Sequence, residues 1–262
     1  MATVIAVEWG VLRNEISSTS SRVAGLLREF SDGSVVLPGS TWSVGEVGAH
    51  LVTIPRRYLD MLARPIPFPE SLSAMNDAEI AALGIRDPDQ LAGLLESDTA
   101  ELLRVLGYAG DRVVAFFGMN HTVEGVGGVM LGELLLHGLD LARLTKRPWP
   151  IRADQAQAVM SGLLPSVVYS VDREVARRAT GTYHLHLRGG DDWTIRVEDS
   201  DVTIERRRPQ RADLHVSQEP VAALLVGYGR MSRWRALLSG RIVAWGRKPW
   251  LAVRFANLFA ET

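Results

Sequence analysis

The chain opens in a helical rhythm. From Glu8 to Phe30, Val11, Ile16, Val23, Leu26 and Leu27 recur at three- and four-residue spacing as core candidates, ending at the turn Ser31-Asp32-Gly33. In TWSVGEVGAHLV, Ser43 followed three residues later by Glu46 is a capping-box pattern and predicts a helix start. That helix runs through His50, Ile54 and Tyr58 to about Ala63, where RPIPFPE breaks it, since proline cannot continue a helix. A short helix near Asp77–Leu83 and a longer one from about Pro88 to Leu106 follow. Arg112 to Phe117 is a short apolar run of either type, and Gly125–Gly128 reads as a loosening of the chain ahead of the helix in GELLLHGLDLARL. After Pro148-Trp149-Pro150 one more helix is expected, at about 154–171.

Beyond about Thr180 the period changes from 3.6 to 2. YHLHLR and WTIRVE alternate around a Gly189-Gly190-Asp191-Asp192 turn, and VTIERR and DLHVS supply two further candidate strands. Helices are then expected at Pro220–Tyr228, Trp234–Ser239 and Pro249–Phe259. The change of period implies a domain boundary near 150–180.

The leucine-rich helix is unusual in its polar content. At about 100° per residue, Glu133, His137 and Asp140 fall within a stripe roughly 60° wide. The opposite face, Leu131, Leu135 and Ala142, is also apolar. Grease on both sides implies a helix packed inside the protein with ionisable groups pointing inward, and buried charges are costly unless paired or bound to a metal. Two readings fit E-x-x-x-H: an internal Glu–His ion pair, or two ligands of a divalent, zinc-like ion with a third on another helix. His50, on a helix among Val44, Val47, Ala49, Leu51 and Val52, is the candidate third ligand, leaving the open position of a catalytic site. Asp140, one turn beyond His137, would orient that ring. Glu46 is assigned to capping. His121 reads as a loop residue, and His184, His186 and His215 as structural or exposed; the first two share one strand face, open to a metal but read in favour of solvent.

Composition narrows the chemistry. The 262 residues suffice for two ordinary domains, 47% are hydrophobic, and the formal charge is −1. Neither nucleic acid nor an acidic membrane is expected as a partner. With no cysteine, sulfur chemistry would need an external thiol. Residues 1–8 lack the pattern of a signal peptide and no uninterrupted run of about 18 apolar residues occurs, which implies a cytoplasmic protein. Of the basic residues only Lys146 and Lys248 are lysines, the coding bias of a GC-rich gene. Arg206-Arg207-Arg208 reads as a solvated strand end. Arg230, Arg233 and Arg235 lie beside Tyr228 and Trp234, where a cationic, aromatic-edged cleft could hold a carboxylate, with two of the three expected to face water.

TWSVGEVGAHL together with GELLLHGLDLAR resembles the mycothiol-dependent maleylpyruvate isomerase family. ADLHVSQEPVAALLVGYGR, LSGRIVAWG and the helix ending ANLF resemble the sterol-carrier-like domain appended to many of its members. The fold so implied is α+β: a DinB-like up-and-down four-helix bundle over 1–150, then a smaller sterol-carrier-like α+β domain over 151–262. The resemblance further implies a zinc or other divalent metal held by His50, Glu133 and His137. Mycothiol would be the external thiol, and Arg230 a catalytic arginine binding the substrate carboxylate. The reaction implied is thiol addition to the cis double bond of a maleylpyruvate-type substrate, rotation about the resulting single bond, and elimination. Gly246-Arg247 departs from the Gly-Asp frequent in the family, so lipid carriage is not implied. Two alternatives keep part of this: a mycothiol S-transferase acting on electrophiles, and a non-catalytic metal-containing small-molecule-binding protein.

Overall fold

A computed structural model describes residues 8–109, 113–171 and 173–258. The amino-terminal stretch read as lacking a signal peptide, apart from residue 8, lies outside the described residues, as do Arg112 and Phe259 at the ends of two expected elements. The chain divides after Ile151 into two compact units.

The first unit is built on α1 (Trp9–Leu27), α2 (Val44–Ala63), α4 (Pro88–Ala109) and α5 (Val123–Thr145), with the shorter α3 (Leu72–Leu83) against α2. α1 and α2 each pack on both α4 and α5. Around the bundle the order is therefore α1, α4, α2, α5, and α2 shares its seam with α5. The buried stripe of α1 runs Leu12, Ile16, Thr19, Ser20, Val23 and Leu27, one face at 100° per residue; Val11, expected in the core, falls off that stripe and is exposed. At the start of α2 the Ser43 side chain accepts from the Glu46 backbone and Glu46 accepts from the Ser43 N–H at 2.7 Å, so Glu46 is used in capping.

Three expectations change here. α3 begins at Leu72 rather than near Asp77, because Ser71 caps it. The apolar run after α4 is a strand, β1 (Val113–Phe116), paired antiparallel with β2 (Met119–Thr122), which carries His121. Phe117 and Gly118 both take positive φ, 50° and 72°, as a two-residue I′ turn requires. Phe117 packs at 5.1 Å from Phe116 and 5.3 Å from Phe68, contacts that offset its unfavourable backbone. Gly125–Gly128 does not loosen the chain. α5 starts at Val123, capped by Thr122, and these glycines are its first turns. A Cβ on Gly127 would lie 2.9 Å from Leu12 Cδ2 and 3.0 Å from Trp9 Cζ3, so the glycine is what lets α1 approach. α5 is apolar and long enough to cross a membrane, yet 72% of its most apolar stretch is buried, as in a core helix.

The second unit begins with α6 (Ala153–Leu163). The expected helix to 171 stops there because Pro165 cannot continue it; a 3-10 turn (Val167–Ser170) and an unanticipated α7 (Arg173–Arg178) follow. β3 (Gly181–Leu187), β4 (Asp192–Glu198), β5 (Asp201–Glu205), β6 (Leu214–Gln218) and β7 (Ile242–Gly246) form one sheet of order β5-β4-β3-β6-β7. Only β3–β6 is parallel. α8 (Pro220–Gly227), α9 (Arg233–Leu238) and α10 (Leu251–Leu258) complete it. Tyr183, Leu185, Trp193, Ile195, Leu214 and Val216 line one sheet face and pack with residues of α6, α7, α8 and α10. β7 was missed because RIVAWG is short and its outward Val243 and Trp245 are apolar, which hides the alternation.

Trp149, from the Pro-Trp-Pro segment, folds back on α5 and donates to the Leu135 carbonyl at 2.9 Å. A Cβ on Gly138 would lie 2.2 Å from Trp149 Cζ2 and 2.7 Å from Cε2, atoms of a rigid ring. Gly138→Ala improves helix propensity by about 1 kcal/mol, but overpacking costs about 1–3 kcal/mol, and expelling the indole adds its lost burial. Net destabilisation is expected, read as a lower urea midpoint at unchanged slope.

Candidate metal centre

Facing positions on α2 and α5 meet in their shared seam. His50, only 3% exposed, points from α2 toward Glu133 and His137, which lie one turn apart on α5. Glu133 Oε2 is 3.5 Å from His50 Nε2 and 3.5 Å from His137 Nε2. One ligand atom from each residue lies within 4.8 Å of the others, and among the described residues no other such group occurs. Trp42, two residues before α2, covers the imidazoles: its ring is 4.9 Å from His50 and 6.1 Å from His137, and the two imidazoles sit 4.9 Å apart, edge to face.

The electrostatics follow from burial and proximity. Burial pushes the His50 pKa down, more than the Glu133 carboxylate beside it pulls it up, so this imidazole is neutral at pH 7. Burial alone would raise Glu133, but the imidazoles of His137 and His50 more than reverse that and hold its carboxyl well below the usual range. The donor set is thus two imidazoles, at least His50 neutral, and one carboxylate.

Those residues fit a divalent ion. At 3.5 Å the N···O contacts are longer than ordinary hydrogen bonds. They match the roughly 3.3–3.4 Å that separates two ligands on a tetrahedral ion with bonds of about 2.0–2.1 Å. Asp140, expected to orient His137, has its Oδ2 3.8 Å from His137 Nδ1, within ion-pair reach and beyond hydrogen-bond length, and it also meets Arg143 at 3.5 Å. The buried Nδ1 atoms of His50 and His137 have no hydrogen-bond partner.

Arg230 belongs to the other unit, just past α8, half-buried, with its Nη1 donating to the Tyr228 carbonyl at 2.7 Å. Arg233, Trp234 and Arg235 on α9 are exposed. Of Arg206-Arg207-Arg208, read as solvated, Arg206 is turned inward and pairs with Asp191 at 2.6 Å. His121 is buried on β2, edge-on to Phe116, rather than in a loop.

The second sheet face holds a network that sequence reading missed. His184 is buried, not solvated. Its Nε2 is 2.6 Å from Asp192 Oδ1 and its Nδ1 is 2.9 Å from His215 Nδ1. His186 Nδ1 approaches the same Asp192 oxygen at 2.9 Å, and His215 stacks on Trp245 at 5.4 Å. The Gly189-Gly190 turn places His186 opposite Asp192, a legible cross-strand pair. The His184–His215 contact needs the parallel β3–β6 register, which nothing local announces.

Fold and site together define a class: a helical bundle with a two-histidine, one-glutamate donor set in its seam, joined to an α+β unit. Residues 12–142 match the family model of the mycothiol maleylpyruvate isomerase N-terminal domain, and the chain belongs to that family. It is similar to the crystal structure of the mycothiol-dependent maleylpyruvate isomerase, with a TM-score of 0.51 and 18% identity over 90% of this chain and 91% of that one, a likeness of fold. Sterol carrier protein 2 like 2 from Aedes aegypti is matched over 41% of this chain and 99% of its own, at TM-score 0.35 and 17% identity. No curated protein matches.

The histidine network yields a pH prediction. Burial, His184 and Arg208 push the His215 pKa below 6.5. A depressed pKa favours the neutral form in the folded state, so its stability contribution is complete above pH 6.5 and is lost as pH falls through the folded value. Asp192, lowered by His184 and His186 against its own burial, contributes above about pH 3.8 and is lost only below it. Urea midpoints should therefore fall as pH drops from 7 to 5, and His215→Asn should flatten that slope.

Proposed function

We propose that this protein is an enzyme that uses an external low-molecular-weight thiol, mycothiol, and a divalent ion, zinc, for cis–trans isomerisation of a maleylpyruvate-type substrate. The observation that carries the reading is the pair of 3.5 Å contacts converging on Glu133 Oε2, a spacing suited to sharing one ion. Family membership and the cysteine-free chain support a thiol brought from outside.

His50, Glu133 and His137 would hold the metal. When bound, a divalent ion at such a site lowers the pKa of a thiol or water at its open position. The protein's own contribution is to present two imidazoles and a carboxylate kept ionised by its neighbours, flanked by an apolar seam and the Trp42 indole. Arg230, its guanidinium fixed on one side by the Tyr228 carbonyl, would bind the substrate carboxylate and stabilise developing enolate charge.

Metal analysis should give about one zinc per chain, and His137→Ala or Glu133→Gln should weaken binding by more than the roughly 10–100-fold typical of losing an outer orienting partner. Equal zinc in wild type and variants would defeat the ligand assignment. Isothermal titration with mycothiol should show zinc-dependent binding; its absence would leave only a binding protein. Where thiol binds, turnover of maleylpyruvate followed by ultraviolet absorbance supports the isomerase, and S-conjugation of electrophiles without isomerisation supports the transferase. Arg230→Lys should raise KM for the carboxylate substrate without altering zinc content, because a lysine cannot reproduce the bidentate fork.

A further inference from the structure

Zinc-ligating imidazoles usually have their second ring nitrogen tied to a carboxylate or carbonyl, which fixes the ring orientation. Neither imidazole here has that tie. His50 Nδ1 and His137 Nδ1 are both buried without a hydrogen-bond partner, and Asp140 stands off at 3.8 Å. The terminal torsion of histidine is intrinsically broad, so something else must set the two rings.

We propose that Trp42 is the positioning residue of this centre, its indole orienting both His50 and His137, with Asp77 anchoring the indole in turn. The inference rests on the metal reading above. The three rings form a closed set at 4.9, 6.1 and 4.9 Å, within the range of aromatic contact, so each imidazole has the indole and the other imidazole packed beside it.

Trp42 is itself firmly held. Its N–H donates to Ser40 Oγ at 3.0 Å, its carbonyl accepts from Leu37 N–H at 3.0 Å, and it directly precedes Ser43, the cap of the helix that carries His50. Its indole N–H donates to Asp77 Oδ1 at 3.2 Å. Asp77 lies on α3, which is docked to α2 by the buried Arg57: Nε and Nη2 donate to Glu79 Oε2 at 3.0 and 2.7 Å, and Nη2 donates to Asn76 Oδ1 at 2.7 Å. Arg57 sits two turns beyond His50 on the same helix. A continuous path of contacts thus runs from α2 through α3 and the indole back to both imidazoles.

The test uses cobalt(II) in the full-length protein, since its visible absorption reports coordination number and geometry independently of turnover. Wild type should give the intense bands of a low-coordinate ion. Trp42→Leu should weaken cobalt binding by about 10–100-fold, the usual cost of losing an orienting partner, and weaken the bands, with apo-protein circular dichroism and melting unchanged. Trp42→Phe, which restores an aromatic wall, should recover most of both. Asp77→Ala should give a smaller change of the same sign, and Asp77→Asn, which retains an acceptor for the indole, should behave as wild type; this pair carries the test if Trp42→Leu does not fold. A cobalt spectrum and affinity in Trp42→Leu, or in Asp77→Ala where that pair decides, matching wild type would overturn the positioning role while leaving the metal centre intact. Wild-type protein that takes up no cobalt would instead bring down the metal reading itself, and this one with it.

Discussion

The amino-terminal unit is organised around one electrostatic constraint: two imidazoles and a carboxylate sit in a seam between apolar helices. A buried carboxylate is tolerable only if its charge is answered, and the answer here comes from His50 and His137, which override the effect of burial on Glu133. That requirement explains why α2 and α5 are neighbours in the bundle and why both carry polar groups amid leucine and valine. It explains the geometry as well. Glu133 meets each imidazole at 3.5 Å, at the long limit of hydrogen bonding and suited to a shared cation, so an ion would complete an arrangement that the side chains alone leave unfinished.

Much of this was legible in the chain. The long helices announce themselves through period and capping. Glu133 and His137 stand out because E-x-x-x-H places both on one helical face, and the grease opposite, Leu131, Leu135 and Ala142, is buried as that pattern demands. His50 was selectable only by its apolar surroundings. What stayed hidden depended on distant contacts. Gly127 of α5 reads as loose chain because its purpose, admitting Leu12 and Trp9, lies more than a hundred residues upstream. The β1–β2 hairpin turns on Phe117-Gly118, which lacks the asparagine or aspartate that marks such turns, and Phe117 is tolerated there because other aromatic rings receive it. Trp42 was visible as part of a motif, but its role depends on where three rings come to rest.

The carboxy-terminal unit applies the same chemistry differently. One sheet face is packed against helices, and the other carries Asp192, His184, His186 and His215 in contact. The His184 and His215 imidazoles share one proton across their 2.9 Å Nδ1···Nδ1 contact, while His184 Nε2 meets Asp192 at 2.6 Å. A strand face that alternation alone assigns to solvent is thereby a small, internally satisfied polar cluster.

The placement of His50 and Glu133 about 80 residues apart in the chain has a kinetic side. During synthesis α2 emerges well before α5, and its imidazole has no carboxylate to meet until the last long helix of the bundle leaves the ribosome. Contacts this distant in sequence close late and slow folding. The seam between α2 and α5 is therefore expected to be among the final parts of the bundle to lock, and the nascent chain must carry an unmatched apolar groove until it does.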